Sequence, residues 1–232
     1  MSLEVLFRSG HEGETRPPLV FIPGSYHGAW CWEENFSPYL SQKGYDCYAL
    51  SLRAQGGSDR GDLKLAGTLD SHAQDIANFV SSLGRPPVLV AHSFSGLFAL
   101  RFIDGSDRNN GFPNIAGVAL LCSTPPSGNG KLIGRFFRRD PLLSVQITWA
   151  FVTKSFARSL EACQQTFFSP DIPNEDLERY QAQLAACSSV PLLDIRAVNK
   201  DLPLPKPRSQ LPPSFVLGGV EDRIVDRWLL VL

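Results

Sequence analysis

Nothing in the charge of this chain favours a polyanionic partner. It carries 22 Lys and Arg against 23 Asp and Glu, a net charge of −1. Without a basic excess there is no counterion-release term to drive binding, so no nucleic-acid partner is expected. Also missing is any run long and apolar enough to span a bilayer. The start, Met1-Ser-Leu-Glu-Val-Leu-Phe-Arg8, lacks the basic-then-apolar layout of a secretory signal. Cysteine is odd in number, with no metal-ligand spacing among Cys31, Cys47, Cys122, Cys163 and Cys187. Three of the five lie among apolar neighbours, so reduced, buried thiols in the cytoplasm are the simplest account. An organelle is compatible where a targeting segment lies outside this chain. There is no internal repeat and no low-complexity segment. What is present is an ordinary hydrophobic content of 43% over 232 residues, enough for one α/β domain with an insertion.

The most informative stretch is Val88-Leu-Val-Ala-His-Ser-Phe-Ser-Gly96. Its first residues form a short, wholly apolar run that reads as a buried strand, and residues 96–103 have helical apolar spacing. Ser93 sits between them, flanked by the small residues Ala91 and Ser95. This is the pattern of a nucleophile elbow, G-x-S-x-G, with Ala and Ser in place of the two glycines. Small flanking side chains are needed because the sharp turn crowds its neighbours against backbone. The turn lifts the Ser93 hydroxyl above the sheet, and the helix start adds the positive end of its dipole.

Taken in order, residues 3–8 alternate weakly and suggest an edge strand, and residues 17–23 a fully apolar one. Residues 30–43 read as a helix stopped by Gly44, and residues 45–52 as the next strand. Leu69, Ala73, Ile76, Val80 and Leu83 mark one helix face, with Thr68 as cap and His72 on the polar side. After the elbow, residues 116–122 form another strand. Strands alternating with helices predict a mostly parallel central sheet with helices on both faces. From 123 to 211 the alternation stops: a Pro/Gly linker at 125–130 precedes helical patterns over 142–163 and 174–187. The strand pattern resumes at Ser214. The chain therefore divides into a core, residues 1–122 and 212–232, and an inserted helical cap, residues 123–211.

Four of these segments together resemble the α/β-hydrolase superfamily, and within it the lipase- and esterase-like members. They are the elbow at Ser93, the loop Pro23-Gly24-Ser25, the loop Ser51-Leu-Arg-Ala-Gln-Gly-Gly-Ser-Asp59, and Gly219-Val-Glu-Asp222-Arg-Ile-Val225. They occur in the family's order and cover the chain from about Pro17 to Val225. The resemblance implies a serine hydrolase acting on a small apolar ester or acyl substrate, with no metal or organic cofactor. Ser93 would be the nucleophile and Asp222 the acid that orients its base, Glu221 and Asp226 fitting that motif less well. The backbone N–H groups of Phe94 and Ser25 would form the oxyanion hole, each stabilising the tetrahedral intermediate by about 3–4 kcal/mol.

The base is the missing part. The family's chain order is Ser, Asp, His, yet His11, His27, His72 and His92 all precede Ser93. A truncated or alternatively spliced chain is the simplest expectation, which would also leave the strand at Phe215 as an uncovered edge. Among the four, only His27, in the oxyanion loop, could stand in as a base; substrate contact or a satisfied loop histidine is its simpler role. Loss of the base lowers turnover roughly 10⁴–10⁶-fold, so impaired activity is expected. A non-catalytic ligand-binding or regulatory variant of the same scaffold is the alternative.

The cap is rich in aromatic residues, and Trp149 is a candidate substrate contact over the cleft. Lys131, Arg135, Arg138 and Arg139 give its first segment a basic face interleaved with Phe136 and Phe137. A solvated face accounts for this, contact with a membrane surface being the sharper alternative. The oligomeric state is not legible.

Overall fold

Strands buried on both faces read as continuous apolar runs, and three of this sheet's strands do. In the computed structural model, which describes residues 1–11, 13, 15–107, 111–187, 190–206, 211–220, 222 and 224–225, six strands form one sheet. They are β1 (Val5–Arg8), β2 (Leu19–Ile22), β3 (Cys47–Leu50), β4 (Val88–His92), β5 (Gly117–Leu121) and β6 (Ser214–Leu217), in the order β1-β3-β2-β4-β5-β6. Only β1 runs antiparallel. Side chains alternate between the two faces. Val20, Ile22, Leu89, Ala91, Val118 and Leu120 join the larger core cluster, with Leu69, Ile76, Leu97 and Phe98. Phe21, Val90 and Ala49 face the other way, onto Trp32.

The helices on the larger-cluster face are α3 (Leu69–Ser81) and α4 (Ser95–Asp107); α1 (Trp30–Glu33) and α2 (Phe36–Gln42) cover the other. The helix expected over 30–43 is thus two short ones. Pro38 lacks the N–H that a continuous helix would donate four residues back, and it fits the first turn of a new helix instead. Thr68 and Ser71 form a reciprocal capping box at the start of α3. His72 is not on a polar side: it is fully buried, stacked on Phe98 with ring centroids 4.4 Å apart.

The segment between β5 and β6 is helical. It contains α5 (Asn129–Arg139), α6 (Pro141–Thr153), a 3₁₀ turn at Ser155–Ala157, α7 (Leu160–Phe167), α8 (Asn174–Cys187) and α9 (Ile195–Lys200). The pattern expected as one helix over 142–163 breaks at Lys154, whose φ is +53°, and restarts from the Ser159 cap. Phe156, Cys163, Leu177 and Leu184 form a separate small core there. Val190, Leu192, Leu193, Val198 and Leu204, grouped with the cap by sequence, pack instead in the sheet's main cluster. Their apolar side chains complete the face that α3 leaves open: the Leu192 carbonyl sits 3.2 Å from His72 Nε2. β6 pairs with β5 alone among the described residues, and Phe215 and Leu217 are exposed.

Candidate active site

The site is built at the C-terminal ends of β4, β5 and β6, where parallel strands present their connecting loops. β4 ends at His92, and the chain then turns through Ser93, whose φ of +56° places a non-glycine residue in the left-handed region. Such a conformation costs about 1–3 kcal/mol and persists only where its surroundings impose it. Here they do. The Ser93 N–H donates to Leu121 O at 3.0 Å, and its carbonyl accepts from Gly96 at 3.2 Å and from Thr124 at 3.0 Å.

The two replaced glycines have an explanation. Ala91 is wholly buried with room for its methyl, and the Ser95 hydroxyl donates to the Pro23 carbonyl, tying the elbow to the neighbouring loop. The need for a missing side chain has moved one step on, to Gly96. A Cβ there would lie 2.6 Å from Ser123 Cβ. That requirement links residues 27 positions apart and has no local sequence signal.

Gly24 brings the loop at residues 23–25 onto the elbow. A Cβ at this position would sit 2.9 Å from Ser93 Cβ and 3.0 Å from His92 Nδ1. Among the described residues neither the Ser25 nor the Phe94 N–H donates to a protein acceptor. Both N–H groups, next to a half-buried serine in sequence or in space, thus remain without a protein partner there. The loop is held from above by the helical segment: Tyr26 Oη donates to Phe151 O at 2.8 Å, and its ring meets Phe156 at 4.9 Å. From below, Ala29 N–H donates to Ser51 Oγ at 2.8 Å, and that hydroxyl donates to Glu4 at 2.5 Å.

His27 lies in this loop, where expected. Its Nδ1 is 3.0 Å from Ser25 O, and a carbonyl can only accept, so Nδ1 carries the proton. The ring stacks on Trp30 and meets His92 edge-on at 6.2 Å and Phe167 at 5.3 Å. Burial lowers its pKa, partly opposed by the bond to Ser25. No imidazole lies against the Ser93 hydroxyl or the Asp222 carboxylate among the described residues.

Asp222 follows β6, on the same edge of the sheet as Ser93 and two strands away. Its Oδ1 accepts from the N–H groups of Ile224 and Val225 at 2.8 and 2.9 Å. Glu221 and Asp226 lie outside the described residues. Between the serine and the acid stands Cys122, at the end of β5, with a φ of +45°. Burial raises its thiol pKa, a backbone contact with Gly219 opposes this, and the nearby Asp222 carboxylate raises it further. Cys122 was not singled out by sequence; only the pairing of β5 with β6 puts it there. A cavity of about 570 Å³ opens between Asp222 and Val220 on one side and the α5–α6 corner on the other.

Trp149 is placed differently from expectation. The buried face of α6 carries Ser144, Ile147 and Ala150, so residue 149 points outward, 65% exposed. It lines a second cavity of about 180 Å³ with Ala162 and Thr166, and the structure does not bring it to the elbow. All five cysteines are free thiols, and Cys47, Cys163 and Cys187 are buried.

The buried imidazoles set a pH dependence. Burial lowers the pKa of His72 to about 4, and burial aided by His27 does the same for His92. Above pH 7 these groups are neutral whether folded or unfolded. Below an ordinary value near 6.5 the unfolded chain takes up protons that the folded chain refuses, so stability falls. The urea midpoint should be flat above pH 7 and drop as pH goes from about 6.5 towards 4. His72→Gln should flatten part of that drop; an equal drop in the variant would remove His72 from the account.

Comparisons with known proteins bear on the family and the fold. The sequence model of a family described as the alpha/beta hydrolase family matches residues 19–230. Methylesterase 1 of Arabidopsis thaliana is 32% identical over 88 residues, covering 37% of this chain and 33% of that protein. Methylesterase 10 of the same plant is 30% identical over 132 residues, 53% of this chain and 44% of the relative. The chain thus matches less than half the length of these relatives. An esterase from Exiguobacterium antarcticum superposes with a TM-score of 0.64 at 16% identity, covering 98% of this chain and 80% of the esterase. At that identity the likeness is one of fold.

Proposed function

Because the chain belongs to the alpha/beta hydrolase family, we propose that it cleaves carboxylic esters through an acyl intermediate on Ser93. The reading rests above all on one observation: Ser93 is held in the left-handed region between strand and helix, beside two N–H groups with no acceptor among the described residues. Its Oγ attacks the acyl carbon as its proton passes through solvent to the departing alkoxide, and the oxygen that gains charge accepts hydrogen bonds from Phe94 and Ser25. Collapse expels the alcohol, and water then frees the acid from Ser93. Asp222 is the carboxylate for a base, and His27 is a wall of the acyl site. The substrate is a small apolar ester, admitted beneath the helices α5 to α8 acting as a cap. No metal or cofactor has a part. The chain's four histidines precede Ser93, and none meets its hydroxyl, so turnover is slow in this chain, by roughly 10⁴–10⁶ relative to a complete triad.

A second reading has its own support. The Asp222 carboxylate is already partnered by two backbone amides rather than by an imidazole, as suits a ligand-binding variant without chemistry. Mass spectrometry of the chain after exposure to p-nitrophenyl butyrate separates the two. One butyryl adduct on the peptide containing Ser93 is expected. Saturable binding of the ester with no adduct would favour the binding variant.

A further inference from the structure

Charge is not spread evenly along this chain. Between residues 129 and 160 six cations (Lys131, Arg135, Arg138, Arg139, Lys154 and Arg158) face one acid, Asp140. That is +5 within a chain whose total is −1, so the remaining residues carry −6. The lone acid is committed, its Oδ1 accepting from the Leu143 N–H at 3.0 Å to cap α6. Arg138 and Arg139 are exposed at the end of α5.

The same two helices expose apolar side chains that a monomer ordinarily covers. On α6, Leu142, Val145, Trp149 and Val152 recur at steps of three, four and three, which puts them on one face. With Ile133 and Phe137 of α5 they are each more than half exposed. A ridge of aliphatic residues and one Trp, flanked by arginines, has the composition of a helix that lies in a membrane interface. No helix among the described residues is long and apolar enough to cross a membrane.

We infer that α5 and α6 form a docking surface for an anionic lipid bilayer. The α6 ridge enters the acyl boundary while Arg138 and Arg139 sit at the level of the headgroup phosphates. Charge favours a bilayer over a second copy of the chain, because pairing two such faces would set Arg138 and Arg139 against their own copies. The cavity beside Asp222 is rimmed by Arg139, Leu142 and the almost fully exposed Val220, so it opens within the same surface. The further consequence, that the esters reaching it are lipid-borne, rests on the reading of Ser93 given above; the docking does not.

Co-sedimentation of the full chain with vesicles tests this directly. Phosphatidylcholine vesicles with about a third phosphatidylserine should pellet the protein, pure phosphatidylcholine should do so poorly, and about 0.5 M salt should release it. Arg138→Glu should weaken binding about thirtyfold, at about a factor of five to six per unit of charge. Val152→Asp, at an exposed position, should weaken it about tenfold. Both variants should melt as the parent does, which separates lost docking from lost fold. Ser93→Ala should bind like the parent, so failure of the serine chemistry and failure of docking give different results. Absence of binding to the anionic vesicles, parental binding by both surface variants, or a stable solution dimer protecting Trp149 would each overturn the inference.

Discussion

Ser93→Ala is expected to reduce labelling by a fluorophosphonate probe to background while leaving the thermal melt within about a degree of the parent. Phosphorus attack needs an accessible Oγ lone pair, and the other elbow hydroxyl, that of Ser95, is buried against the Pro23 carbonyl. Alanine at 93 keeps the same β-carbon in the same left-handed conformation, so the backbone bonds to Leu121, Gly96 and Thr124 survive. The companion substitution is more discriminating. Glycine has no penalty at a φ of +56°, so Ser93→Gly should lose the label and gain about 1 kcal/mol of stability. Loss of label with a gain in stability identifies strain held for chemistry rather than for folding. Labelling that persists in either variant would place the reactive nucleophile elsewhere and end the acyl-serine proposal.

Phe98→Ala should produce the largest loss of stability, about 3–5 kcal/mol. Phe98 is wholly buried in α4, stacked against His72 and 6.2 Å from the Phe94 ring. It links the helix that follows the elbow to α3, and truncation leaves a cavity that two rigid helices cannot close. For a chain of this size such a loss lowers the melting temperature by about 10 °C. It also consumes a large share of a typical domain's 5–15 kcal/mol. Trp149→Ala, at a position 65% exposed, should change stability by no more than about 0.5 kcal/mol. Urea unfolding of both variants checks the contrast. Equal effects would mean that the buried face of α4 is assigned wrongly.

The architecture was readable because its signals are local. Wholly apolar runs gave β2, β4 and β5, and the spacing of Leu69, Ala73, Ile76 and Val80 gave α3. The elbow was legible for the same reason, since a tight turn constrains only its nearest neighbours. What escaped depends on partners far along the chain. His72 looks solvated beside Asp70 and Ser71, yet the carbonyl of Leu192, 120 positions away, makes its burial tolerable. Trp149 suggests a pocket by its type, but the small side chains of Ser144 and Ala150 decide which face of α6 packs. Cys122 meets Asp222 only through the register of β5 with β6, and Gly96 answers to Ser123 across a strand. Contacts of this kind leave no periodicity to read.

The bond from the Tyr26 hydroxyl to the Phe151 carbonyl fastens α6 to the residue beside Ser25. A tether at that point makes the loop a follower of the helix: tilting α6 drags the neighbouring amide with it. On the oxyanion role proposed for Ser25, anion affinity and helix attitude become two readings of one mechanical coordinate, and a load on the outer ridge would be felt at position 25.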